Sequence, residues 1–179
     1  RSWKFKLPAG FQTTTKFSHI HQLKGIDNST GTADVGLPLI TFTCYSKSNG
    51  SQVLRLRYNN RNDASTVTLA EAPLSNFLGQ WVEVVEMAKY GASGSYQLTI
   101  RRLADSQILL SYQNYNLDMW RTDCAGLRPK WGIYRYIGEN RSWEYLLRDE
   151  KLLYADFYVL KVDPVGNVSM PGAGAVPDV

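Results

Sequence analysis

The chain has 179 residues, 44% hydrophobic and 20% charged, with 20 Lys and Arg against 16 Asp and Glu for a net charge of +4. That length suits one domain with a substantial core, and no apolar run approaches the ~20 residues needed to cross a bilayer, so a membrane partner is not expected. The basic excess favours an acidic partner, but Lys and Arg are spread along the chain. Zinc-finger spacing, a recognition-helix pattern and an aromatic ribonucleoprotein motif are all missing, which argues against nucleic acid.

In chain order, short runs rich in β-branched and aromatic residues predict strands at 3–7, 16–24, 37–45, 52–58, 66–69, 80–88, 95–103, 108–112, 130–137 and 152–162. Between them lie turn formers such as Pro8-Ala-Gly10, Asp27-Asn-Ser-Thr-Gly31, Ser48-Asn-Gly50 and Gly91-Ala-Ser-Gly94. No segment carries an amphipathic helix of ten residues or more. Strands without helices imply an all-β fold of two packed antiparallel sheets, a sandwich or jelly roll, over residues 1–162. The Gly- and Pro-rich segment 163–179 is expected to be a strap or loose terminus without chemistry.

Two stretches stand out. His19 and His21 are the only histidines, and on a strand of period two they share one face. By the same rule Arg128, Lys130, Gly132 and Tyr134 share a face of a later strand, with Trp131 opposite as a core residue. In 52–58, Leu54, Leu56 and Tyr58 alternate with Arg55 and Arg57, which read as a solvated face, with a substrate subsite as the alternative. Glu83 and Glu86 fall on opposite strand faces and form no obvious glycosidase pair. A His-x-His lacks a third ligand at motif spacing, so no metal site is expected and calcium is not indicated.

Cys44 and Cys124 permit one disulfide without requiring it. Four N-x-Ser/Thr sequons, at Asn28, Asn49, Asn140 and Asn167, lie in turn-like stretches and favour a secreted, glycosylated protein. Arg1-Ser-Trp3 reads as the inside of a strand, as in a processed or truncated form.

The His19-Ile-His21 strand resembles the Gln-Ile-His strand of jelly-roll alginate lyases, and Lys130-Trp-Gly-Ile-Tyr134 resembles their Lys-Ala-Gly-x-Tyr strand, in the same order. Pro38-Leu39, Gly79-Gln-Trp81, Tyr90-Gly91 and the closing Leu147-Arg-Asp-Glu-Lys151 and Ala155-Asp-Phe157 are similar to the related glucuronan-lyase-like proteins, so the likeness spans roughly residues 16 to 162. It implies β-elimination in a uronic-acid polysaccharide, with no cofactor required. One group neutralises the sugar carboxylate, a base removes the C5 proton, and an acid protonates the departing oxygen.

Carried over, His21 matches the family histidine and Tyr134 the tyrosine. His19 stands where the alginate enzymes have glutamine; it either pairs with the carboxylate when protonated or lowers the pKa of His21 by like-charge repulsion. Lys130 and Arg128, beside Tyr134, are expected to favour its phenolate and to bind substrate. The family's upstream Arg-x-Glu-Leu-Arg-like strand has no counterpart before Lys16. It lies in a separate N-terminal segment, or its absence leaves an open sheet edge beside the cleft. The expectation is a polysaccharide lyase acting on an acidic polysaccharide; the alternative is a lectin-like module that binds without cleaving.

Overall fold

Burial of alternate side chains organises the chain into two five-stranded antiparallel sheets, as the computed structural model shows for residues 1–59, 65–162 and the backbone of 168–169. The strands are β1 Ser2–Lys6, β2 Ser18–Ile26, β3 Ile40–Ser46, β4 Gln52–Asn59, β5 Thr66–Pro73, β6 Trp81–Lys89, β7 Gly91–Arg102, β8 Ile108–Met119, β9 Gly126–Arg135 and β10 Leu153–Tyr158. One sheet runs β10-β1-β6-β7-β8 and the other β5-β4-β3-β2-β9. The expected all-β sandwich is therefore present.

Inward residues of both sheets make one core. Trp3 and Phe5 of β1, Val82 and Val84 of β6, and Tyr96, Leu98 and Ile100 of β7 meet Ile20 and Leu23 of β2, Phe42 of β3, and Leu54 and Leu56 of β4. Trp3 sits at the junction, its ring 5.7 Å from Phe42 and 6.2 Å from Trp131 of the facing sheet. Burying an aromatic of this size in mutual tilted contact is among the larger single contributions to a core.

Several strand limits differ from the sequence expectation. β8 continues to Met119 because β7 pairs with it over its whole length, and only Leu117 and Met119 of the added part turn inward. The predicted strand 152–162 ends at Tyr158, and Lys161–Val162 (β11) forms a separate hairpin with Val168–Ser169 (β12). Most of the segment 163–179, including the Asn167 sequon, lies outside the described residues.

The disulfide is not formed, since Cys44 and Cys124 are both buried free thiols. Cys44 is level with Ser18 at one end of β2, whereas Cys124 packs at the other end beside Gly25. At ~3.3 Å per residue that spacing exceeds 20 Å, roughly three times the reach of a disulfide.

Both β9 and β10 are edge strands, on the same side of the sandwich. An edge explains how Pro129, which has no N–H, is tolerated inside β9.

Candidate functional site

The outer face of the second sheet carries the polar residues, and the strand register sets them in rows. One row reads Thr68, Arg57, Thr41, Gln22, Lys130 across β5-β4-β3-β2-β9; the next reads Glu71, Arg55, Thr43, His19, Tyr134. A cavity of about 550 Å³ opens on this face, lined among others by Phe17, His19, Gln22, Lys24, Arg57, Lys130 and Tyr134. Arg128, Lys130, Gly132 and Tyr134 keep the predicted common face, while Trp131 packs against the core.

His21 does not join them. The expectation that His19 and His21 share a face fails because the ladder slips between them: His19 pairs with Thr43 but His21 with Phe42, and His19 pairs with Tyr134 but His21 with Trp131. One extra residue, Ile20, is inserted relative to β3, and two residues of β9, Gly132 and Ile133, oppose it on the other side. Such a bulge shifts the face of everything beyond it. Ile20 and His21 consequently both turn inward, while Gln22 and Lys24 turn out to the cavity.

Inside the sandwich His21 finds a carboxylate. Its Nε2 lies 3.2 Å from Oε2 of Glu86, with both side chains fully buried, an ion-pair distance without hydrogen-bond alignment. Glu86 also accepts from Arg1 Nε at 2.9 Å, Trp3 Nε1 at 3.4 Å and the Tyr96 hydroxyl at 2.5 Å. Burial pushes the Glu86 carboxyl up, but His21 and Arg1 beside it and the hydrogen bonds it accepts prevail and hold it well below the usual carboxylate range. The burial pattern does keep Glu83 and Glu86 on opposite faces of β6.

His19 has a different setting. Its Nδ1 lies 2.6 Å from Thr43 Oγ1, and the Thr43 hydroxyl donates onward to Thr41 Oγ1 at 3.4 Å. That network assigns the Nδ1 proton as donor to Thr43 and leaves Nε2 with a lone pair. Burial, aided by the Arg57 charge, lowers its pKa from 6.5 to about 4, so the imidazole is neutral near pH 7. The ring stacks on Phe17 at 4.7 Å and stands 6.0 Å from Tyr134, whose side chain is 60% exposed.

The cations sort into two groups. Arg55 is spent: its Nε binds Glu71 Oε2 at 2.9 Å and its guanidinium lies 4.0 Å over the Tyr45 ring. Arg57, Lys24, Lys130 and Arg128, by contrast, have no carboxylate partner among the described residues. Lys24 is held below its usual pKa by burial and then by Lys130 and Arg128 next to it. Uncompensated like charges crowded at one cavity mouth are the electrostatic footprint of an anion site.

Beyond the cavity, Phe17 continues into Tyr136 at 6.0 Å, and Tyr136 into Trp143 at 5.3 Å. The face thus has a cationic end and an aromatic end, with His19 and Tyr134 between them. Among the described residues no cluster of three or more His, Cys, Asp or Glu is placed to hold a metal, and no helix is long and apolar enough to cross a membrane.

Of the sequons, Asn28 has both amide protons engaged, with Thr32 Oγ1 and the Asp123 carbonyl. Asn49 stands exposed in a turn and Asn140 stands exposed in the short 3-10 helix Glu139–Arg141.

Sequence reasoning missed Gln22, Lys24, Thr43 and Glu86. One signal was available: continuing the period of two from His19 and His21 puts Leu23 in water and Lys24 in the core. Only a slipped phase between residues 19 and 22 repairs both. Comparisons with known protein families, with curated proteins and with solved structures return no match to this chain.

Proposed function

We propose that this protein binds an acidic polysaccharide across the outer face of β2 and β9 and cleaves it by β-elimination. The observation that carries this reading is the convergence on one cavity of three cations, Lys24, Arg57 and Lys130, that lack carboxylate partners among the described residues, with a neutral imidazole and an exposed phenol. In this reading Lys130 and Arg57 neutralise the sugar carboxylate and the Gln22 amide donates a hydrogen bond to it, which makes the adjacent C5–H acidic. Nε2 of His19 accepts the C5 proton, the C4–O bond breaks as the C4=C5 double bond forms, and the Tyr134 phenol protonates the departing oxygen. The base is therefore His19 rather than His21.

The aromatic end suits stacking of a neighbouring sugar ring. Exposed sequons at Asn49 and Asn140 support a secreted setting.

The lectin-like alternative draws on one observation: the histidine that matches the lyases, His21, lies behind the sheet. The two readings separate on incubation with polyglucuronate and polymannuronate while absorbance of the unsaturated product is followed. A rise supports elimination. A flat trace with salt-sensitive binding to the same polymers supports the lectin; no preference over a neutral glucan removes both.

A further inference from the structure

The bulge that separates the two histidines leaves backbone groups outside the ladder. Ile20 on β2 and Gly132 and Ile133 on β9 have no strand partners there, and Gly132 adopts φ +131°, a conformation L side chains rarely take. A carbonyl and an amide in such a position cost free energy unless something reaches them. Tyr154 does so from the other sheet. Its hydroxyl donates to the Ile20 carbonyl and accepts from the Gly132 N–H at 3.1 Å, so one phenol closes the gap on both strands.

We propose that Tyr154 of β10 is a positioning residue, whose hydroxyl pins the β2–β9 bulge and so sets His19 and Tyr134 side by side at the cavity while His21 stays inside. The part of this inference that concerns catalysis rests on the lyase reading; the part that concerns geometry does not. Tyr154 does not itself line the cavity and acts through the backbone: Ile20 is next to His19, and Gly132, which lines the cavity, is two residues before Tyr134. Its ring is set by Trp3 at 5.8 Å and Phe157 at 6.0 Å, so the hydroxyl is delivered by the core of the sandwich. Burial raises its pKa, which keeps the phenol protonated as the donor that the Ile20 carbonyl needs.

The test is Tyr154→Phe, which keeps the ring and removes only the hydroxyl, read in three ways. Amide exchange at Gly132 is expected to accelerate by at least about tenfold while Ile100 in the other sheet is unchanged. The NMR titration of His19 is expected to move from about 4 back toward 6.5 as the strand relaxes. On polyglucuronate kcat is expected to fall on the order of ten- to a hundredfold with KM nearly constant, because the cations are untouched and only the near-attack geometry is lost.

Phe157→Leu, which thins the same packing but leaves the hydroxyl, is the control and is expected to lower stability without moving the His19 titration. Unchanged Gly132 exchange and His19 titration in Tyr154→Phe overturn the positioning role. An inactive wild-type protein whose Tyr154→Phe variant still shows both shifts defeats the lyase reading and leaves the positioning role standing. If Tyr154→Phe does not fold, 3-fluorotyrosine at this position alters only hydroxyl acidity; an unmoved Gly132 amide shift then overturns the proposal.

Discussion

Two histidines on one strand, one residue apart from being neighbours, live in opposite chemical settings, and what surrounds them decides their use. Behind the sheet His21 faces Glu86, with Trp3, Phe42 and Trp131 rings within 5.0 to 5.4 Å and no solvent. In front of it His19 faces a threonine hydroxyl, a stacked phenylalanine and cations, with an open cavity beyond. A histidine sealed against a carboxylate supports the fold, because the carboxylate needs it. A histidine desolvated near positive charge stays neutral and keeps a lone pair to offer.

The inner region should be the more sensitive to substitution. Glu86→Ala strips Arg1, Trp3 and Tyr96 of their common acceptor and His21 of its ion-pair partner, and leaves buried polar groups unpaired. Breaking a buried pair this way costs about 3–5 kcal/mol, a drop in Tm on the order of 10 °C for a chain of this size. A melt within a degree or two of wild type would show that the cluster is not structural.

The outer histidine should instead write itself into the pH dependence of stability. Its pKa is about 4 folded and 6.5 unfolded, so between those values the unfolded chain binds more protons and stability falls as pH drops. The full loss is roughly 3 kcal/mol and is complete below the folded value. Glu86 adds a second limb: its stabilising contribution is present above its ordinary 4.5 and is lost as pH falls through its lower folded value. Denaturant melts of His19→Gln from pH 7 to 4.5 should lack the first limb; an unaltered slope would assign it elsewhere.

In activity the contrast reverses. Tyr134→Phe, at a 60% exposed site, should leave Tm within a degree and lower elimination by about 10²-fold, the usual cost of losing a general acid. Full activity in that variant would take the phenol out of the chemistry.

The smallest effect concerns the cations. Lys130→Gln should weaken polyuronide binding severalfold and flatten its salt dependence, whereas Arg55→Gln, already neutralised by Glu71, should do neither. Equal loss from both would mean that net charge, not the cavity mouth, attracts the polymer.

Much of this was legible along the chain wherever period two holds locally. Arg128, Lys130 and Tyr134 share a face and Trp131 is opposite, because the Gly132–Ile133 irregularity leaves the alternation of β9 intact. Leu54, Leu56 and Tyr58 are core for the same reason. The all-β sandwich followed from the spacing of apolar runs and turns, which depends only on neighbours in sequence.

What the tertiary structure alone decided is which histidine faces the cavity. That choice hangs on a one-residue slip closed by Tyr154, which is 134 residues from Ile20 in sequence, and on Glu86 waiting on the opposite sheet. A bulge exchanges one ladder pairing for another at small net cost, so local propensity does not specify it; the balance is set by partners that exist only once the two sheets have met.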